Sequence, residues 1–260
     1  MTAPLPILVD GHAHICDSVF DPDRAAVLAR ARHAGVHAVV AVGENLDDAR
    51  KNLELARIHP MIRAAAGLYP TILDMAQADA MTAFIRRHRS RLIAIGEVGL
   101  DYWAVKQDDE KALQRDIFHR FIRLSRELSL PLNVHSRSAG RHAVALLLEA
   151  GAEKVQLHAF DGRAAAALPA VEAGYFFSIP PSVVRSRQKQ KLVGQLPLSC
   201  LLVETDSPVL GPDPSTRNEP ANLRIALDAI AGIKSIAVAA VAEAVAENAL
   251  RLYGEVGPVA

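Results

Sequence analysis

Eight short aliphatic or β-branched runs recur along the chain, and each is followed by a stretch that alternates apolar and charged residues. The runs span residues 6–10, 37–42, 62–68, 92–98, 131–136, 155–160, 175–179 and 200–206. Because few polar residues interrupt them, they are typical of parallel strands that are buried on both faces. Eight such βα units predict an α/β fold, a single (β/α)8 TIM-type barrel.

A doubly wound open sheet is the competing arrangement. It would more often carry a glycine-rich turn after the first strand, and the stretch "DGHAH" is not such a turn. The length of 260 residues suits one barrel, and no linker or low-complexity segment divides the chain. We therefore predict one domain over residues 1–260. Its tail, from about 219 to 253, is expected to form one or two C-terminal helices with a packing face of alanine and valine.

Charge and cysteine content restrict the partners and the compartment. Lys plus Arg and Asp plus Glu both number 29, so any binding of nucleic acid must depend on a local patch. Cys16 and Cys200 do not make a disulfide framework, which favours a reducing compartment. The first residues do not resemble a signal peptide, and no uninterrupted apolar segment reaches the roughly 18 residues of a membrane span. These features predict a cytoplasmic protein that does not associate with a membrane and has no obligate protein partner.

Ionisable residues stand at the ends of five of the predicted strands. They are Asp10, His12 and His14, then Glu97 and Asp101, His135, His158, and finally Glu204 and Asp206. In a barrel these ends share one rim, where active sites of such barrels lie. Imidazole and carboxylate together suit zinc, manganese, iron or nickel, and their number exceeds one tetrahedral site. Two metal ions sharing a carboxylate would use this set, and such pairs hydrolyse phosphoesters and amides.

Each of these residues also has a structural interpretation when it is taken alone. His158 could be a buried histidine bonded to the backbone, Glu97 could cap a helix, and Asp206 precedes Ser-Pro as turn residues do. Together they would leave several polar groups at strand ends in need of partners, and metal ions would supply them.

Seven stretches resemble one known family, in that family's order and over nearly the whole chain. They are "DGHAH", "IGEVGLDY", "LPLNVHSR", "VQLHAFDG", "LLVETDSP", "RNEP" and "ENALRLYG". On these motifs the chain is identified as a member of the TatD family of metal-dependent hydrolases, among the amidohydrolase-like barrels. The resemblance implies the barrel fold and a divalent-metal DNase activity that is often exonucleolytic.

The resemblance also implies a role for each metal ligand. His12 and His14 would bind the first metal ion together with Asp206, and His135 and His158 would hold the second. Glu97 would bridge the two ions. Asp206 would in addition take a proton from the attacking water, so Asp206 and Glu97 are the predicted catalytic residues. The ions could be Zn, Mn, Mg or Ni.

Four residues are predicted to contact the substrate, and one of them departs from the family pattern. Asp101, Arg137 and Arg217 would orient a substrate phosphate. Arginine suits this role better than lysine, because its planar guanidinium can donate two parallel hydrogen bonds to a phosphate. Family members commonly carry Gly-x-His-Pro after strand three, whereas this chain has "GLYPT", with Tyr69 in place of that histidine. A tyrosine donates a hydrogen bond but is not a cation near pH 7. The change predicts slower nuclease chemistry or a different substrate.

Three functions follow from these residues. The first is a two-metal hydrolase of phosphodiesters, with DNA ends or another phosphate-containing molecule as substrate. Trp103 and Tyr102 could stack one base, although few aromatics are available overall. The second is a two-metal hydrolase of a small phosphate ester, amide or lactone, which the Tyr69 change favours. The third is a barrel that binds partners without catalysis. Hydrolases bridged by a carboxylated lysine are less favoured, because strand four offers Glu97 and no adjacent lysine.

Overall fold

The computed structural model describes residues 6–256. Residues 1–5 and 257–260 lie outside the described part, and residues 1–5 are half of the ten-residue segment from which the absence of a signal peptide was predicted. The assignment of the whole chain, 1–260, to one domain stays a prediction.

Eight strands form one parallel sheet in the order in which they occur along the chain. They are β1 (Leu8–Ala13), β2 (Val36–Ala41), β3 (Ile62–Ala66), β4 (Ala94–Gly99), β5 (Leu132–His135), β6 (Val155–His158), β7 (Phe176–Ile179) and β8 (Leu201–Val203). Each strand falls on one of the eight aliphatic runs. The predicted (β/α)8 barrel is confirmed, and the open doubly wound sheet is excluded by the unbroken neighbour order.

Helices connect the strands on the outside of the barrel. In chain order they are α1 (Arg24–His33), α2 (Leu46–Ile58), α3 (Met75–His88), α4 (Asp108–Leu128), α5 (Gly140–Glu149), α6 (Ala164–Glu172), α7 (Arg187–Gln195), α8 (Leu223–Lys234) and α9 (Val238–Tyr253). The last two are the predicted C-terminal helices. Every helix from α1 to α7 begins after the carboxyl end of a strand, so its first turn lies near the rim where βα loops meet.

Local sequence explains where α2 begins. Asn45 caps α2, since its side-chain oxygen accepts hydrogen bonds from the backbone nitrogens of Asp47 (2.9 Å) and Asp48 (3.1 Å). The same two residues place negative charge in the first turn, and Arg57 lies in the last turn. Both placements agree with the dipole of the helix.

The barrel closes between β1 and β8 through a buried carboxylate. Asp10 accepts hydrogen bonds from the backbone nitrogen of Thr205 (2.8 Å) and from its hydroxyl (2.6 Å). The backbone nitrogen of Asp206 donates to the carbonyl of His12 at 2.8 Å, one step further along the same seam. Burial raises the pKa of Asp10 to about 8, although the bonds from Thr205 oppose the shift. These hydrogen bonds join the first and last strands of the barrel next to two predicted metal ligands, His12 and Asp206.

The inside of the barrel is polar on several strands, in contrast to the apolar layer between strands and helices. Asn133 on β5 pairs in register with Gln156 on β6. The Gln156 amide donates to the carbonyl of Gly11 (3.0 Å) and to the hydroxyl of Ser178 (2.8 Å). Tyr253, at the end of α9, donates its hydroxyl to Gln156 from below. These buried groups satisfy one another and form a rigid polar floor beneath the carboxyl rim.

No single helix between residues 6 and 256 has both the length and the apolar character needed to cross a membrane. The segments Pro220–Lys234 and Val238–Tyr253 satisfy those two criteria only as a pair, and they are bent by 114° relative to each other.

Candidate metal centre

His12 and His14 lie on the same side of the chain at the end of β1. Alternate residues of a strand point to the same face, and here the two Nε2 atoms are 3.3 Å apart. His12 is fully buried, whereas the side chain of His14 is 15% exposed. His14 therefore marks the side from which the cluster is open to solvent.

Glu97, on β4, lies between two groups of histidines. Its Oε1 is 2.6 Å from Nδ1 of His135 and 3.0 Å from Nε2 of His158. Its Oε2 is 3.4 Å from Nε2 of His14 and 3.9 Å from Nε2 of His12. One buried carboxylate thus presents each of its oxygens to a different pair of imidazoles.

Backbone geometry brings β4 and β5 close enough for this contact. Gly99 has a φ of +146°, and a Cβ built on it would lie 2.1 Å from the carbonyl oxygen of His135. Only glycine tolerates both the dihedral angle and the approach. Gly99 therefore sets the two strands at the spacing that places Glu97 beside His135.

Asp206, just after β8, faces the pair formed by His12 and His14. Its Oδ1 lies 3.3 Å from Nε2 of His12 and 3.6 Å from Nε2 of His14. Its φ is +53°, a left-handed conformation that aspartate adopts more readily than most residues. This turn aims the carboxylate back over β1.

The second ring nitrogen of His12 is held by Asn133. The His12 Nδ1 and the Asn133 Oδ1 are 2.8 Å apart, and the Asn133 Nδ2 donates to the carbonyl of Gly11 at 2.8 Å. Because the amide nitrogen is used by Gly11, the amide oxygen accepts from His12 Nδ1–H. The lone pair of His12 Nε2 is then directed toward His14 and Asp206.

Carboxylates hold the outer nitrogens of the other pair. Nε2 of His135 is 3.1 Å from Oδ2 of Asp101, whose Oδ1 accepts from the backbone nitrogens of Trp103 (2.9 Å) and Ala104 (2.8 Å). Nδ1 of His158 lies 3.5 Å from Oε1 of Glu204. Both contacts orient a ring from behind. Asp101 is buried against His135, so its predicted contact with substrate phosphate finds no support in its position.

The cluster attracts positive charge strongly. Burial alone would raise the pKa of Glu97, yet His135 and His158 hold it well below the usual range. Burial works against protonation of His14, but its contact with the charged carboxylate of Glu97 and the charge of Asp206 raise its pKa to about 9. The pKa of His158 is likewise raised, against its burial, by Glu204 and Glu97. Without another cation these imidazoles would take up protons.

The donor set fits divalent metal ions. Three groups have ligand atoms within 4.8 Å of one another: His12 with His14 and Glu97, Glu97 with His135 and His158, and His12 with His158 and Glu204. Within residues 6–256, Oε2 of Glu97 is buried and forms no hydrogen bond, since its nearest donors, the Nε2 atoms of His14 and His12, stand at 3.4 and 3.9 Å. A buried carboxylate oxygen without a donor is costly, and a cation bound there would satisfy it.

Two other predicted substrate residues lie at the rim. The Tyr69 ring is half-buried, 5.2 Å from the His135 ring between centroids. Burial and the negative charges of Glu97 and Asp101 raise the pKa of Tyr69, so its hydroxyl keeps its proton. The Arg137 guanidinium lies over the ring of Trp103, 3.7 Å from its centroid, and Trp103 is 57% exposed. This stack is a flat, open surface beside the histidines.

Arg217 is held in an ion pair with Asp23. Its guanidinium donates to both oxygens of Asp23, at 2.9 and 2.7 Å, and to the carbonyl of Val19 at 2.8 Å. The ion pair satisfies the group without a ligand, and a role in phosphate binding would require this pair to open.

Asn133 was missed by the sequence reasoning, although one signal was present. In the run "PLNVHS" Asn133 stands two residues before His135, and strand periodicity places both on the same face. A polar residue inside a buried strand, on the same face as a predicted metal ligand, indicates a hydrogen-bond partner for a ligand on another strand, here His12.

The fold and this cluster define a class of protein: an α/β barrel that carries a histidine–carboxylate metal centre at its carboxyl rim. The family model described as "TatD related DNase" matches residues 9–254. The chain belongs to this family, whose members are metal-dependent hydrolases.

Similar proteins extend over nearly the same length. The chain is 45% identical over 258 residues to the human "Deoxyribonuclease TATDN3", covering 95% of this chain and 94% of that protein. It is 32% identical over 254 residues to the "Uncharacterized metal-dependent hydrolase YabD" of Bacillus subtilis, covering 95% and 99%. Among solved structures, the TatD homologue YJJV of Escherichia coli superposes with a TM-score of 0.86 at 24% identity, covering 95% of this chain and 98% of that one. That likeness supports the barrel fold.

Proposed function

We propose that this protein hydrolyses phosphodiester bonds of DNA from a strand end, with two divalent metal ions at the barrel rim. The observation that carries the proposal is Glu97, whose two oxygens face two separate pairs of histidines. Membership of the family and the deoxyribonuclease name of the human relative support DNA as the substrate.

Each ion would have its own ligands and share one. His12, His14 and Asp206 would hold the first, His135 and His158 the second, and Glu97 both. With four imidazoles in the set, zinc, manganese or nickel is favoured over magnesium. Divalent ions held here would polarise a phosphate oxygen and lower the pKa of a bound water.

The protein's own groups prepare and complete this chemistry. Asp206, whose carboxylate faces His12 and His14, would accept a proton from the attacking water. Asn133, Asp101 and Glu204 keep three imidazole rings in the orientation that directs a lone pair inward. Tyr69, which keeps its proton, donates a hydrogen bond to a phosphate oxygen where many family members have a histidine.

The surface formed by Arg137 and Trp103 supports a nucleotide as the substrate. An exposed indole ring offers a face on which a base can stack, and base stacking on aromatic rings typically contributes about 1–3 kcal/mol. The guanidinium above the same ring supplies positive charge for a phosphate. We expect Trp103→Ala to raise KM for single strands with little change in kcat.

Cleavage of a 3′-labelled single strand, with divalent metal titrated into chelator-treated protein, tests the proposal. We expect metal to restore cleavage and His135→Ala to abolish it, because that ring contacts Glu97 at 2.6 Å. His119→Ala, on α4, is the matched control and should cleave like the wild type. Full activity of His135→Ala would refute the assignment of this centre. A 5′-labelled strand in parallel reports from which end cleavage starts.

A second candidate keeps the metal centre and changes the substrate to a small phosphate ester, amide or lactone. Tyr69 favours it, since a neutral phenol stabilises a phosphodiester transition state less than a cation would. One metal-loaded preparation assayed with p-nitrophenyl phosphate, an acyl amide, a lactone and DNA separates the two candidates. Metal analysis of the purified protein addresses the third alternative, a non-catalytic barrel: a stably folded, metal-free preparation would favour it.

A further inference from the structure

A groove lies between the start of α6 and one face of α7, which lines the groove from Arg187 to Gln195. It encloses a cavity of about 600 Å³. Three cationic side chains line it, Arg163 before α6 and Arg187 and Lys191 on α7, and all three are exposed. We call this the basic groove.

The charges of the basic groove are not neutralised by neighbours. Within the part of the chain that the structure describes, none of the three cations has a carboxylate oxygen within 4.0 Å. Many surface arginines elsewhere are paired, as Arg30 is with Glu219. The one acidic residue of the adjoining loop, Asp161, accepts a hydrogen bond from the backbone nitrogen of Ser138 at 2.7 Å.

One helix of the groove contacts the residue that directly follows a proposed metal ligand. Lys189, on α7, donates its ammonium to the carbonyl of Ala159 at 2.8 Å, and Ala159 directly follows His158. The backbone nitrogen of Ala159 in turn donates to Glu204 at 2.9 Å. The first turn of α7 is therefore fixed to the end of the strand that carries His158.

The opposite side of the centre carries the opposite charge. Next to His14 lies a smaller cavity of about 280 Å³, and Asp17, Glu44 and Asp48 line it. Lys51 also lines it but pairs with Asp21 at 2.8 Å. A polyanion leaving the centre meets repulsion on the β1 and β2 side and attraction on the β6 and β7 side.

We propose that the basic groove binds the phosphates of a single strand beyond the nucleotide that is being cleaved. This inference rests on the proposed nuclease function and adds the path of the strand to it. The contact is to the backbone, so it is independent of base sequence. Each phosphate contact on a single strand contributes about 0.7 to the slope of log affinity against log salt concentration, so three contacts contribute about 2.

The test measures binding by fluorescence anisotropy, with the metal-loaded protein and a labelled phosphorothioate strand of about 12 nucleotides that resists cleavage. The wild type is compared with the triple variant Arg163→Gln, Arg187→Gln, Lys191→Gln. The matched control is Arg87→Gln, an exposed arginine in the last turn of α3, at the opposite rim. The three groove substitutions are also made singly, and circular dichroism verifies that each variant is folded.

In the wild type, the three phosphate contacts should weaken binding roughly twentyfold when salt is raised from about 50 to about 200 mM. We expect the triple variant to lose this part of the salt dependence, together with the affinity that it contributes at low salt. The control should bind like the wild type, and each single variant should lose part of the slope. An unchanged slope in the triple variant would overturn the proposal. Hydrolysis of bis(p-nitrophenyl) phosphate and of unmodified DNA by the wild type is scored separately. A protein that binds the strand through the groove but hydrolyses neither substrate would refute the function and leave the groove in place.

Discussion

Asn133 offers the sharpest test of how the protein prepares its metal centre. Replacing it with leucine keeps a side chain of similar volume and removes the oxygen that accepts from His12 Nδ1 at 2.8 Å. The carbonyl of Gly11 loses the Asn133 amide but keeps the Gln156 amide at 3.0 Å. The substitution therefore leaves one buried group, the His12 ring nitrogen, without its partner.

Two magnitudes follow from this contact. Loss of the partner of a ligating histidine typically lowers metal affinity by about 10–100-fold, which is about 1.4–2.7 kcal/mol. An unpaired buried donor costs about 1–3 kcal/mol, so the metal-free variant should unfold with a correspondingly smaller free energy. Both effects arise although Asn133 is not itself a proposed metal ligand.

The assay is competition for zinc with a chromophoric chelator, together with urea unfolding of the chelated protein. Asn133→Asp is the matched control, because its carboxylate still accepts from His12 and should keep affinity near the wild-type value. Metal affinity of Asn133→Leu within twofold of the wild type would refute the reasoning. It would mean that the His12 ring is oriented by packing alone.

Three further outcomes are expected. Glu97→Gln should lower the metal content of the purified protein, measured by mass spectrometry, because it removes the charge that faces both histidine pairs; two ions per chain in this variant would contradict the bridging role. Phe177→Ala should cost about 3–5 kcal/mol in urea unfolding, since this fully buried ring packs edge-on against Phe160. Burial raises the pKa of Cys16 to about 12 and of Cys200 to about 11, so both thiols should react with Ellman's reagent at pH 8 only as fast as the protein unfolds, and rapid labelling of the folded protein would contradict this.

The strands and their order were predictable because their signal is local. An uninterrupted apolar run such as "HAVVAV" indicates a buried strand wherever it occurs, and repetition with helical stretches between the runs indicates a barrel. The candidate metal residues were found for a related reason: topology alone places the carboxyl ends of all strands at one rim.

Other features depend on contacts between residues far apart in the chain. Arg217 matches a family motif, but its pairing with Asp23, 194 residues away, is visible only in the folded chain. Zero net charge correctly excludes a global basic field, yet it cannot reveal that Arg163, Arg187 and Lys191 gather in one groove.

The sequence by itself determined the fold class, the family and the set of residues at the carboxyl rim, because strand periodicity and motif order are properties of neighbouring positions. Only the tertiary structure decided which oxygen of Glu97 faces which histidines and which side chain holds the second nitrogen of His12. These depend on distances of a few ångströms between strands, and such distances are set by packing in three dimensions rather than by spacing along the chain.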